Sequence, residues 1–234
     1  MTLSSLTALL SPVDLAVLVL LALVWFALGW RIERVKTPVP SVTVLMAEYR
    51  REWMRQFVTR MPRMYDASVI ASLRQSTNWL ASTTLLALGG LLALIGSPET
   101  LRNVAQDLAL EAAVPRTFET RLLLPVLFLS HAFLKFLWSN RLFGYSSIMM
   151  SAVPNEPSDP LAYPRAKQAA EINIRAAYNF NRGLRATYFA LGSLAWMLGP
   201  WALLVSIAVV SWLVWSREFA SHSRAVLLEP PPGE

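Results

Sequence analysis

The chain has 234 residues, of which 55% are apolar and 15% charged, with nine Trp, no Cys, a mean hydropathy of +0.43 and a formal net charge of +6. Soluble domains carry about 25% charged and about 45–50% apolar residues, so this composition calls for lipid contact and excludes disordered, collagen-like and disulfide-stapled classes. Without Cys there is no thiolate metal site, iron–sulfur cluster or thiol nucleophile, and two His leave little for a metal or haem.

A bilayer core of about 30 Å needs about 20 apolar residues at 1.5 Å rise. Four runs meet that length. The first, residues 13–30, ends at Arg31, Glu33, Arg34 and Lys36; it lacks a basic n-region and a small-residue cleavage site, and so reads as a retained anchor. The second, residues 77–96, stops at Ser97-Pro98. The third, residues 122–140, contains Pro125, His131 and Lys135. The fourth, residues 186–215, is long enough to span with tilt, and Gly199-Pro200 should kink it. A split into a hairpin is possible there, but no cluster of charges or turn residues marks a reversal. The expected fold is all-α: a polytopic membrane helical bundle with four transmembrane helices plus cytoplasmic amphipathic helices, forming one domain.

Lys and Arg placement sets orientation. The segments 31–76 and 141–185 hold fifteen Lys and Arg against seven acids, so both are expected in the cytoplasm, with both termini outside it. Trp30, Trp79, Trp138 and Tyr188 would lie at the cytoplasmic ends of the spans, and Trp212 and Trp215 at the outer end of the last. The same distribution argues against nucleic acid as partner, because insertion alone requires it.

Between the first two spans, residues 41–64 (SVTVLMAEYRREWMRQFVTRMPRM) place Met46, Tyr49, Trp53, Phe57, Met61 and Met64 at intervals of three or four. That spacing predicts a basic amphipathic helix. Arg50, Arg51, Arg55, Arg60 and Arg63 are its candidate contacts to anionic lipid headgroups, each gaining about 1 kcal/mol near an anionic surface. The alternative is that the helix packs under the bundle. Residues 153–164 carry four prolines and predict a loop, after which residues 165–183 read as an Ala-rich helix running into the fourth span. Residues 227–234 form a Pro-rich tail.

Ionisable groups at bilayer depth are costly and are the first functional candidates. His131 and Lys135 share a helical face, and Ser82, Thr83 and Thr84 lie at a depth similar to Lys135, so the five could line a polar pocket. A snorkelling lysine and a hydrogen-bonded neutral histidine explain the pair without function. Small residues (Gly89, Gly90, Ala93 and Gly96; Gly192, Ala195 and Gly199) offer surfaces for close helix packing. No Ser-His-Asp spacing, phosphate-binding glycine loop or HExxH pattern appears, so no enzyme, metal or cofactor is expected.

The stretches NWLASTTLLALGGLLALIG, AFLKFLWSNRLFGYS, YNFNRGLRATYFALGSLAWMLGPWALL and REFAS resemble an uncharacterised family of integral membrane proteins, domain of unknown function 599. The resemblance implies a helical membrane protein and brings no activity, substrate or catalytic residue. The expected role is a non-catalytic inner-membrane accessory or scaffold, alone or as a small homo-oligomer, with a basic cytoplasmic face on anionic lipid. The alternative is an oligomeric channel or small transporter with a polar path near Lys135 and His131.

Overall fold

The computed structural model describes residues 10–97, 99 and 115–229. These residues form α1 (Pro12–Glu33), α2 (Val42–Phe57), α3 (Met64–Ile95), α4 (Pro115–Ser151), α5 (Ala162–Ser193), a 3-10 segment (Leu194–Leu198), α6 (Pro200–Phe219) and α7 (His222–Leu228). Four stretches, Pro12–Glu33, Met64–Ile95, Phe118–Ser151 and Pro200–Leu228, are long and apolar enough to cross a membrane. The protein is a polytopic membrane helical bundle.

Local sequence sets the helix ends. Ser11 and Asp14 close a capping box on α1: the Ser11 hydroxyl accepts from the Asp14 N–H at 3.1 Å, and the Asp14 carboxylate accepts from the Ser11 N–H at 3.0 Å. Pro12 occupies the first turn, where its missing N–H has no helical partner to lose. Ser41 caps α2 and also donates to the Ile32 carbonyl at 2.6 Å, which ties the start of α2 to the end of α1. The Pro-rich loop lies between Ser151 and Ala162, shorter than the expected 153–164, because Pro164 sits in the first turn of α5, where its missing N–H costs no helical bond.

The longest pairing is between α4 and α5. Alanines 166, 169, 170, 176, 186 and 190 give α5 a flat buried face, and that flatness lets α4 come close. Ser146 donates to the Ala169 carbonyl at 3.1 Å and Ser139 to the Ala176 carbonyl at 2.8 Å, so the helices run antiparallel. Further along, Phe136 faces Gly183 so tightly that a Cβ there would sit 2.6 Å from the ring. α3 packs on α4 in the same sense, with Ile70 beside Met150 and Ala81 beside Ala132 and Phe136.

At one end of the bundle, α3, α4 and α5 continue past their apolar runs, and α2 lies across them. Met54, Phe57 and Val58 meet Ile70, Met150, Val153, Ala162 and Ala166 in a buried cluster. The amphipathic helix is thus part of the folded layer. Its buried stripe is Val44, Ala47, Met54 and Phe57, while Met46 and Tyr49, expected on the apolar side, are exposed, as are Met61 and Met64 beyond its end.

Residues 186–215 are not one continuous span. The 3-10 segment ends at Gly199, whose φ of 111° is open to glycine and strained for other residues, and Pro200 begins a new helix. Pro200 therefore starts α6 and kinks nothing; the Trp196 carbonyl that an internal proline would have orphaned accepts from the Gly199 N–H at 2.9 Å. The chain reverses here. Ser206 donates to the Gly192 carbonyl at 2.8 Å and Arg217 to the Tyr188 hydroxyl at 2.5 Å, so α6 runs back alongside α5.

The last turns of α5 consequently make a further pass beside α1. Trp196 donates to Asp14 at the start of α1, and Arg182 and Arg185 meet Glu33 at its end. Glu218 accepts from Thr43, and Arg224 donates to the Pro40 carbonyl, so α6 and α7 finish at the end of the bundle where α2 lies. Ser11 and His222 stand at opposite ends of the bundle, and residues 1–9 and 230–234 lie outside the described residues. Trp215 moves with them to the α2 end, where Arg31 lies 5.9 Å from its ring, and Trp212 follows less than one turn away. Of the Pro-rich tail, Leu227 and Leu228 belong to α7 and residues 230–234 lie outside the described residues.

Two substitutions probe this packing. Gly192→Cys combined with Ser206→Cys should form a disulfide under mild oxidation, read as loss of maleimide labelling; a continuous helix would hold these positions about 21 Å apart and leave both thiols free. Gly183→Val should lower thermal stability in detergent by about 1–3 kcal/mol through overpacking against Phe136.

Candidate functional site

The intramembrane polar candidates do not share one environment: Thr84 is buried, whereas Ser82, Thr83 and His131 are exposed. Thr77, Ala81 and Thr84 form the buried face of α3, whereas Ser82 and Thr83 are exposed on the other side. The Thr84 hydroxyl bonds the Leu80 carbonyl at 2.7 Å and that of Thr83 bonds the Trp79 carbonyl at 2.7 Å, so both are spent on their own helix. His131 is exposed and meets the Trp25 ring edge-on at 5.8 Å. Lys135 is partly exposed and has no hydrogen bond or ion pair among the described residues. Of the candidate packing glycines, Gly192 sits 2.7 Å, at its Cβ position, from Val210, whereas Gly89 and Gly90 meet nothing within 4 Å.

The five candidate lipid-contacting arginines fall into two groups. Four already have partners. Arg51 pairs with Glu171 at 2.7 Å and with Glu48, and the contact holds the Glu171 carboxyl below its usual range and raises the Arg51 guanidinium. Arg55 pairs with Glu52, and Arg60 with the fully buried Asp66, which also accepts from Trp53. Arg63 donates to the carbonyls of Val153 at 3.0 Å, Val58 at 3.2 Å and Pro154 at 2.8 Å, and so staples the end of the α2 layer to the Pro-rich loop.

Arg50 is different. It has no carboxylate within ion-pair range among the described residues: its guanidinium donates to Asn173, which in turn donates to Ser146, and its buried Nε has no partner. Burial pushes its pKa down to about 10, which leaves it a cation at neutral pH. The side chain lines a cavity of about 340 Å³ at the α2 end, between α2, α3, α4, α5 and the end of α6. Polar groups there include Tyr178, Asn181, Arg217 and Glu218. Glu218 is turned to Thr43, accepting from its N–H at 3.0 Å and its hydroxyl at 2.8 Å, and Asn181 donates to the same hydroxyl at 3.1 Å.

Beside this cavity, Glu33 accepts from Arg182 and from the nearly buried Arg185, each at 2.5 Å, and thereby locks α1 to α5. The sequence offered Glu33 only as part of a basic stop to the first span, and Arg182 and Arg185 only as cytoplasmic positives. Arg50 was visible only as one of five arginines on the amphipathic helix, and no local pattern ties it to Asn173, 123 positions away. Among the described residues no three His, Asp or Glu side chains are placed to hold a metal ion.

These features define a helical membrane protein with a charged, layered end and a cavity at the level where its apolar runs begin. The family described as "Protein of unknown function, DUF599" matches residues 15–223, and the chain belongs to it. Comparison with curated proteins and with solved structures gives no match.

Glu33→Gln should lower stability by about 2–4 kcal/mol, between the effect at an exposed pair and at a fully buried one, because it leaves the Arg185 charge unpaired. Thermal unfolding in detergent measures it. Combining it with Arg185→Gln should cost less than the sum of the two single changes; strict additivity would mean that the contact carries no coupling.

Proposed function

We propose that this protein is a non-catalytic accessory or scaffold of the inner membrane, alone or as a small homo-oligomer, whose α2 end faces the cytoplasm and rests against anionic lipid. The observation that carries this reading is the charge difference between the two ends of the bundle. Fifteen Lys and Arg lie in segments 31–76 and 141–185, and the reversal at Gly199 brings Arg217 and Arg224 to the same end. Short segments rich in Lys and Arg stay on the cytoplasmic side.

The aromatic residues support the same orientation. Trp30, Trp79, Trp138, Trp212 and Trp215 are all exposed toward the α2 end, and Trp201 is exposed toward the other. Rings of this kind favour headgroup depth. On this reading the N-terminus lies outside and the C-terminus inside. The channel reading gains nothing from a residue set in which Ser82, Thr83 and His131 are exposed singly rather than gathered.

Reporter fusions test the orientation: a fluorescent protein after Glu234 should light up in the cytosol, and a phosphatase fused there should be inactive. An active phosphatase at that position would reverse the proposal. Extraction in native nanodiscs should enrich anionic phospholipid about twofold over the bulk membrane, as a surface potential acting on many arginines requires; an unchanged ratio would remove the lipid part.

A further inference from the structure

The Arg50 cavity holds an imbalance that the fold does not resolve. Removing a cation from water costs several kcal/mol unless an opposite charge accompanies it, and arginine cannot shed its proton at neutral pH. Every other arginine of the five on residues 41–64 has an acid or a set of carbonyls. Arg50 has one amide oxygen and the face of Phe143, 6.0 Å away. A second cation, Arg217, borders the same space with a tyrosine hydroxyl as its hydrogen-bond partner, and the one lining carboxylate, Glu218, is occupied by Thr43. The lining thus carries two positive charges and one negative.

The remaining walls are mostly apolar, Val42, Met46, Ala47, Leu73, Phe143 and Phe180 among them, and the hydroxyls of Ser76 and Thr77 donate to carbonyls of their own helix. The cavity lies at headgroup depth, since Thr77 begins the apolar run of α3, Phe143 follows that of α4, and Arg217 ends that of α6. Its volume suits a headgroup with the first carbons of its chains and is small for a whole lipid.

We propose that this cavity binds the phosphodiester headgroup of a singly charged anionic lipid, with Arg50 as its buried cation, Arg217 at its rim, and Tyr178 and Asn181 as hydrogen-bonding neighbours. This rests on the reading that the α2 end sits in anionic lipid, and narrows it from a surface to one site. Arg51, Arg55, Arg60 and Arg63 then belong to the architecture of the layer, and the lipid is held from within the bundle instead of along an exposed helix.

The test uses the full chain in neutral detergent, with thermal unfolding followed as short-chain phosphatidylglycerol is titrated in. The parent should be stabilised in a saturable way. Arg50→Gln should bind at least about tenfold more weakly, whereas Arg55→Gln, which removes the same charge from an exposed pair, should stay within about twofold. Without lipid, Arg50→Gln should unfold at no lower temperature than the parent, because it removes an uncompensated charge. Ala177→Leu fills the cavity without touching a charge and should also lose the lipid effect; it decides the matter if Arg50→Gln does not fold.

Glycerol phosphate, added alone, should give no comparable shift. If it binds as tightly as the lipid, the ligand is a soluble anion and the lipid assignment falls. Equal affinity for phosphatidylglycerol in the parent, Arg50→Gln and Ala177→Leu would sink the site while leaving general enrichment of anionic lipid in nanodiscs intact. No stabilisation of the parent would sink it as well.

Discussion

A charge drawn toward hydrocarbon must bring a partner with it, and that constraint organises this bundle from both ends. At the α2 end, Glu33 is held by Arg182 and Arg185; at the other, Asp14 accepts from Ser11 and from the Trp196 indole, with Arg121 donating to the Met197 carbonyl at 3.3 Å nearby. Both clusters join α1 to the same stretch of α5 and its 3-10 extension. Glu33 and Asp14 are 19 positions apart on α1, about 28 Å at helical rise, and the 14 positions from Arg182 to Trp196 rise about 21 Å beside them. The reversal at Gly199 follows from that geometry, because a chain pinned beside Asp14 has reached the far end and α6 can only return.

The return also explains the order of the core. α1 and α6 run parallel, with Leu21 near Leu203 and Ile207 at one level and Ile32 near Val214 and Phe219 at another. α5 and its 3-10 extension run antiparallel to both and share Phe189 and Trp196 with the first cluster, while Trp25 packs edge-on against both Phe128 and Phe189 at 5.1 Å. Layers of this kind make each helix's position depend on two others.

Three of the four spans, the Pro-rich loop, the amphipathic helix and the continuous α5 were legible in the sequence, since each rests on a local signal: an apolar run, a proline cluster, or a period of three to four. The fourth span was misjudged for an instructive reason. No charged residue interrupts residues 186–215, so they read as one long apolar run, and only Gly199-Pro200 distinguishes a kinked crossing from a reversal. A glycine just past a helix end and a proline at the first turn of the next is a turn signal in its own right. Weighing it would have moved Trp212, Trp215, Arg217 and Arg224 to the basic end. The partners of the arginines were out of reach for a different reason: Arg51 meets Glu171 across 120 positions and Glu33 meets Arg182 across 149, and no local pattern carries that information.

Depth and direction are separate coordinates on a helix, and the polar residues show how far the difference matters. Ser82, Thr83 and Thr84 share a depth to within about 3 Å, yet each residue turns the helix by about 100°, so only Thr84 joins Thr77 and Ala81 on the buried face. Lys135 likewise shares a level with these hydroxyls without sharing a cavity with them. A lysine has a long stem on which its ammonium can reach toward headgroups. Arg50 lacks that freedom: α2 lies across the bundle, the guanidinium is turned inward to Asn173, and its Nε is sealed from water. Two cations without an acid partner among the described residues therefore differ in freedom, one on a stem that can reach outward and the other held inward by Asn173.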